Sequence, residues 1–227
     1  MFKASSLFIR VDAFLFVFLQ LMYTKKAFLL LNGEAPKKIP DLTKYDLICA
    51  TDGAYQYLKE KKIQPNFISG DFDSLDHLPN DVEIIHTPNQ DFTDFDKILN
   101  ILFDKGYTQI DVYGASGKEQ DHFLGNLHTA IQWKKELNLT FFDEYGYYFL
   151  ADKITEITDC HQKIISLLPL PIAKNITTKG LQYPLNNENL EFGKRIGTRN
   201  KAITNNVTIT FNSGNLFIFI NHKNQEN

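Results

Sequence analysis

Two carboxylates in the stretch Gly70-Asp71-Phe72-Asp73-Ser74-Leu75 stand two residues apart, directly behind Asn66-Phe67-Ile68-Ser69. Like charges held that close raise each other's pKa unless a cation intervenes, so the spacing points to a metal. The surrounding oxygen donors favour Mg²⁺, which takes one or two carboxylates and completes its shell with water and substrate phosphates. An acidic turn capping the next element has the same local sequence, and other parts of the chain must decide. Asp91, Thr93, Asp94 and Lys97 make a second group. Asp94 falls in a first helical turn and Lys97 one turn on, so carboxylate and ammonium share a face. They read as partners in a metal-phosphate complex or as a helix-start ion pair. A third group is Gly114-Ala115-Ser116-Gly117-Lys118, ahead of Asp121-His122. Val112 stands where a Walker A motif has its first glycine, and Glu119 where it has Ser or Thr, so the motif is absent. A glycine-rich turn before a helix still offers backbone N–H groups to a phosphate. Asp121-His122 reads as an N-cap with a solvated imidazole or as a carboxylate aimed at the site.

These groups need elements to position them. Apolar runs at 27–31, 47–50, 67–69, 82–86, 110–113 and 139–142 read as buried strands, and each of the first five closes on a polar or glycine-bearing turn. Between them, Ala54, Tyr57 and Leu58 fall at helical spacing. Thr93 is an N-cap with Asp96 three residues on, as in a capping box, and Phe95, Ile98, Leu99 and Leu102 follow at i, i+3, i+4 and i+7 until Gly106. A further helix runs from Asp121 to about Leu137, with Leu124, Leu127, Ala130 and Ile131 on its inner face. Strands alternating with helices predict an α/β N-terminal domain with an open, mostly parallel, Rossmann-like sheet. Ligands bind such sheets outside the carboxyl ends of the strands. Those ends carry Asp52, Asp71 with Asp73, Asp91 with Asp94, and the 114–122 loop, a convergence that favours the metal reading. After about Glu144 only short strand-like segments follow, at 147–151, 163–168, 190–192, 207–211 and 216–220, with Asn212-Ser213-Gly214-Asn215 as a hairpin turn. They predict a C-terminal all-β sandwich. The division is 22–147 for the α/β domain and 148–227 for the sandwich, with 1–21 as an extension.

A net charge of −3 over 227 residues makes no electrostatic case for nucleic acid or an anionic membrane. Cys49 and Cys160 lie far apart in no ligand spacing, which suits a reduced, cytoplasmic protein. Residues 13–22 (AFLFVFLQLM) loosely resemble a signal segment, but Asp12 abuts the run, Gln20 interrupts it and no small-residue cleavage site follows. The run is too short to span a bilayer. Met22 precedes Tyr-Thr-Lys-Lys and a clean strand, so 1–21 reads first as a dispensable extension, with a targeting or anchoring segment as the alternative.

Asp52-Gly53-Ala54, GDFDSL at 70–75, QDFTDFDKIL at 90–99, GKEQDHFLGN at 117–126, SLLPL at 166–170, GLQYPL at 180–185 and GTRN at 197–200 occur in one order. Together, over about residues 27–220, they resemble the thiamine pyrophosphokinase family. The resemblance implies an ATP-binding α/β domain, a thiamine-binding β-sandwich, and a homodimer with thiamine where subunits meet. The implied reaction is transfer of the diphosphoryl group of ATP to the thiamine hydroxyl, with release of AMP. Asp71, Asp73, Asp94, Lys97 and Asp121 would be catalytic, with Mg²⁺ on Asp71, Asp73 and Asp94. Asp52, Gly53, Asp91, Gly117, Lys118 and His122 would place ATP. Thiamine is an aromatic cation, and Tyr183 is the expected platform, with Thr198 and Asn200 offering hydrogen bonds. Relatives commonly carry an arginine just before the Asp-His pair, where this chain has Lys118-Glu119-Gln120. Either Lys118 supplies the cation or the ATP contact is weaker. A binding module whose catalysis has lapsed, and a kinase for another small alcohol, are the competing readings.

Overall fold

The computed structural model describes residues 24–72 and 79–222. The apolar run at 13–22 lies outside the described residues, and so does Asp73. Six strands form the first part of the sheet: β1 (Lys26–Leu30), β2 (Leu47–Thr51), β3 (Phe67–Gly70), β4 (Glu83–His86), β5 (Gln109–Tyr113) and β6 (Asn138–Phe142). They lie in the order β4-β3-β2-β1-β5-β6, all parallel to their neighbours. Side chains alternate across a strand, so an unbroken apolar run supplies both faces. In β1, Phe28 and Leu30 pack with Ala54, Tyr55 and Leu58 of helix α1 (Asp52–Glu60). Ala27 and Leu29 point the other way, into a core with α2 (Asp94–Asp104) and α3 (Gln120–Gln132). That second core takes Phe95, Ile98, Leu99 and Leu102 from α2 and Leu127 and Ala130 from α3. Leu124, expected on the inner face of α3, is exposed, because the helix turns its Leu127–Ala130 stripe to the sheet instead.

The sheet does not end at β6. β7 (Gly146–Leu150) pairs with β6 antiparallel, and β13 (Ser213–Asn221) pairs with β7. Phe141, Tyr148 and Phe219 stack across these three strands, with ring centroids 4.8 and 4.7 Å apart. Beyond β13 lies β9 (Ile164–Lys179), a 16-residue strand that also receives β10 (Glu188–Glu191), β11 (Gly197–Lys201) and β12 (Val207–Thr210). β12 in turn pairs with β8 (Ile154–Ile157). These strands enclose a core of their own that includes Ile165, Leu167, Val207, Ile209, Leu216 and Ile218.

The expected Rossmann-like α/β domain set beside a sandwich is therefore corrected. The described residues form one mixed sheet of thirteen strands in which antiparallel pairings outnumber parallel ones, with three α-helices. The strand-helix alternation that the fold requires is incomplete. The β1–β2 connection carries Gly33, Pro36 and Pro40 and makes only a 3₁₀ turn at Leu42–Lys44. After β6 the connections are too short for crossover helices, and antiparallel pairing follows.

Candidate active site

The carboxyl ends of β1, β2, β3 and β5 and the segment after β4 converge on a cavity of about 490 Å³. Asp71, Gln90, Asp91, Thr93, Asp94, Lys97, Gly117, Lys118, Asp121 and His122 are among its lining residues, so most of the residues singled out by sequence meet there. Thr93 closes the start of α2, its Oγ1 accepting a hydrogen bond from the Asp96 N–H at 3.2 Å. The Asp96 side chain does not reach back as a capping box requires. Its Oδ1 accepts from the Trp133 indole N–H at 2.7 Å and ties α2 to the end of α3.

Asp71 accepts a hydrogen bond from Gln90 Nε2 at 3.0 Å, which links the end of β3 to the segment after β4. Behind it, Asp52 is buried, and its carboxylate accepts the N–H groups of Gly53 (2.7 Å) and Phe72 (2.9 Å). Phe72 sits at φ 63°, a left-handed conformation that costs a bulky residue about 1–2 kcal/mol. The Asp52 contact fixes that bend and with it the direction of the chain through Asp71. Gly70 is required here, since a Cβ on it would stand 2.2 Å from the Asp52 carboxyl carbon. Burial pushes the Asp52 pKa up; the two N–H contacts pull it down, and Asp94 and Asp71 push it up further through their charge. Asp52 and Gly53 do not line this cavity; Gly53 lines a second one of about 480 Å³ that shares Leu31, Asn32, Gly33 and Lys118 with the first.

Lys97 is nearly buried. Its ammonium faces Asp94 Oδ1 at 2.7 Å, the Thr87 carbonyl at 2.8 Å and the Asn89 carbonyl at 3.2 Å. Across the cavity, the turn after β1 is zipped to the 114–116 loop: Gly33 N–H donates to the Gly114 carbonyl and Glu34 N–H to that of Ser116. A Cβ on Gly33 would lie 2.3 Å from the Gly114 oxygen, which explains the glycine. Lys118, at φ 59°, donates from Nζ to Asn32 Oδ1 at 2.9 Å. Asp121 accepts the His122 N–H at 2.9 Å, and the His122 ring lies 3.7 Å from the Glu119 carboxylate.

Tyr183, Thr198 and Asn200 belong to the antiparallel part and line none of the described cavities. Asn200 clasps the Tyr183 backbone, accepting its N–H at 3.1 Å and donating to its carbonyl at 2.6 Å. Tyr183 is 67% exposed, an aromatic residue held in place at the surface. Sequence reasoning assigned no role to Asn32 or Gln90. Both sit at or after the carboxyl ends of parallel strands, and that position is the signal that would have found them.

Residues 41–141 match the family description "Thiamin pyrophosphokinase, catalytic domain", and residues 153–216 match "Thiamin pyrophosphokinase, vitamin B1 binding domain". Thiamin pyrophosphokinase 1 of Caenorhabditis elegans is 28% identical over 185 residues, covering 74% of this chain and 76% of its own length. Thiamine pyrophosphokinase of Bacillus subtilis (strain 168) is 27% identical over 201 residues, covering 82% of this chain and 94% of its own. The crystal structure of thiamine pyrophosphokinase from Bacillus subtilis superposes with a TM-score of 0.74 at 26% identity, covering 87% of this chain and 99% of that one. Thiamin pyrophosphokinase from Candida albicans superposes equally well, at 0.74, with 20% identity and 91% and 90% coverage, a likeness of fold alone.

Proposed function

The chain belongs to the thiamine pyrophosphokinase family, and from that premise we propose that it transfers the diphosphoryl group of ATP to the hydroxyl of thiamine, giving thiamine diphosphate and AMP. The observation that carries the reading to particular residues is the meeting of Asp71, Asp91, Asp94 and the 114–118 loop around one cavity. The thiamine oxygen attacks the β-phosphorus of ATP, and the bond from that phosphorus to the oxygen bridging it to the α-phosphorus breaks. AMP leaves with the electron pair, and the hydroxyl proton passes to one of the cavity's carboxylates. Such chemistry asks a protein mainly for positioning and charge neutralisation.

Mg²⁺ fits the donor set, since Asp71 and Asp94 are hard oxygen ligands on one cavity, both close enough to act on the charge of buried Asp52. Asp71 and Asp94, with Asp73, would hold it, and it would supply neutralisation of phosphate charge. Lys97 braces Asp94 and the 87–89 segment, so that the carboxylate is set before substrate arrives. Gly117, Lys118, Asp121 and His122 place ATP, with Asp91 beside them, while Asp52 holds the bend through Asp71 and Gly53 lies against Asn32. Residues 22–147 supply the nucleotide half and 148–227 the thiamine half.

Exposed Tyr183 offers its ring to the cationic thiamine, with Thr198 two residues before Asn200 on β11 and Asn200 fixing the Tyr183 backbone. Because these residues lie outside the cavity, a second copy of the chain supplies them, and the working form is a homodimer. Incubation with ATP, Mg²⁺ and thiamine is expected to yield thiamine diphosphate and AMP. ADP with thiamine monophosphate would sink the diphosphoryl mechanism, and a monomer with full activity would sink the shared site.

A further inference from the structure

Resting on the proposal that ATP occupies this cavity, we infer that Lys118 is the cation that contacts its phosphates, and that Asn32 is the positioning residue that aims it without cancelling its charge. The cavity is lined by the carboxylates of Asp71, Asp91, Asp94, Glu119 and Asp121, and by two lysines, Lys97 and Lys118. An ammonium has three N–H donors and no acceptor. Those of Lys97 are matched by three acceptors, one of them the Asp94 carboxylate. Reaching a phosphate would mean breaking that set inside a nearly buried site.

Lys118 is placed differently. Its ammonium has one side-chain partner among the described residues, the neutral amide oxygen of Asn32, and no carboxylate within ion-pair distance. Two N–H donors and the full charge remain. Asn32 is itself fixed from three sides. Its backbone continues β1, the next two residues are bonded to the 114–116 loop, and Gly53 lies against its side chain so closely that a Cβ there would stand 2.4 Å from Nδ2. Lys118 keeps a left-handed backbone at φ 59°, a costly conformation for a side-chain-bearing residue at the wall between the two cavities. An anchored, uncancelled ammonium facing a cavity rich in carboxylates is the arrangement that admits a polyanion.

The decisive variant is Asn32→Asp. It preserves size and the hydrogen bond to Lys118 but pairs the ammonium with a carboxylate. Each variant removes a charge-assisted contact to phosphate, so Asn32→Asp and Lys118→Gln should each raise KM for ATP, and the Kd of ATP with Mg²⁺ by calorimetry, about tenfold or more. KM for thiamine should stay within about twofold and kcat should fall much less than KM rises. Lys118→Arg should recover most of the ATP affinity, and Asn32→Ala, which weakens ATP binding by itself, should cost nothing further once Lys118 is Gln. Thermal unfolding of each variant separates misfolding from weakened binding. ATP affinity in folded Asn32→Asp within twofold of the wild type would overturn the inference, as would a fully additive double variant. Calorimetry keeps this outcome apart from failure of the proposed reaction, which the products formed by the wild type test by themselves.

Discussion

Chemistry is mounted in two different ways in this molecule. At the carboxyl ends of the parallel strands, charged groups from separate loops are drawn into one cavity and braced from behind: Asp71 by Gln90, Asp94 by Lys97, Lys118 by Asn32. In the antiparallel half, Tyr183 stands exposed on the surface, held through its backbone by Asn200. The first arrangement concentrates like charge and must restrain it. The second carries no such cost and leaves an apolar face open for a partner to cover. If the proposed site draws on both, its reactive part is prepared in advance and its acceptor part is completed on assembly.

The contrast is broken most severely at the carboxylates. Asp71→Asn should lower turnover by about 10²-fold or more while thermal unfolding stays near the wild type, since the group serves charge stabilisation more than packing. Near-normal turnover would remove the metal-holding role. Gly70→Ala should follow, because its Cβ would enter the Asp52 carboxyl; overpacking of this kind costs about 1–3 kcal/mol and would appear as a lowered Tm together with lost activity. Tyr183→Ala tests the other half and should raise KM for thiamine by about twofold to fivefold, the range of an exposed cation-π contact, with Tm and KM for ATP unchanged. A large loss of Tm would show the ring to be structural.

The smallest expected effect concerns Asp52. Its pKa is raised above the ordinary carboxylate value, so the folded protein takes up a proton there that the unfolded chain does not. Its contribution to stability is complete below the ordinary value and is lost as pH rises through the raised one. Asp52→Asn escapes that loss. The variant's Tm relative to the wild type should therefore climb by a few degrees as pH rises from the ordinary carboxylate value through the raised one. A difference that does not change with pH would mean that the N–H contacts of Gly53 and Phe72 fully offset burial and the neighbouring charges, and one that falls would mean that they outweigh them.

Local chemistry was legible in the sequence, and long-range contact was not. Thr93 announced the start of α2, and the apolar runs of β1, β2 and β5 announced buried strands, because caps and periodicity act within a few residues. Asp96 satisfied the spacing of a capping box, yet its carboxylate goes to Trp133, 37 residues on, where an indole N–H needs a partner. The length of β9 was hidden by Pro169 and Pro171, which normally argue against a strand. Pro169 is tolerated opposite Leu216, where the pairing with β13 shifts register. The continuity of the sheet across β6 and β7 depends on Phe141, Tyr148 and Phe219 finding one another from three strands, and no local pattern states it. The candidate site was the more readable part, since its residues sit at strand ends, where their types stand out. Asn32 was passed over because its partner lies 86 residues away.

The place of β13 between β7 and β9 has a consequence for how the chain comes to be folded. Residues 213–221 are the last strand in chain order, yet they fill an interior position, bonded on one side to residues 146–150 and on the other to residues 165–174. Until they arrive, β7 and β9 each present an open edge, and the aromatic stack stops at Tyr148. The parallel half can gather itself early from contacts within its own stretch, but the antiparallel half waits for a segment made late and must close long loops to receive it. Such topologies fold slowly for their size, and their waiting edges invite pairing with other chains. Refolding should therefore proceed in at least two phases, the slower one reporting the entry of β13 and growing less efficient as protein concentration rises.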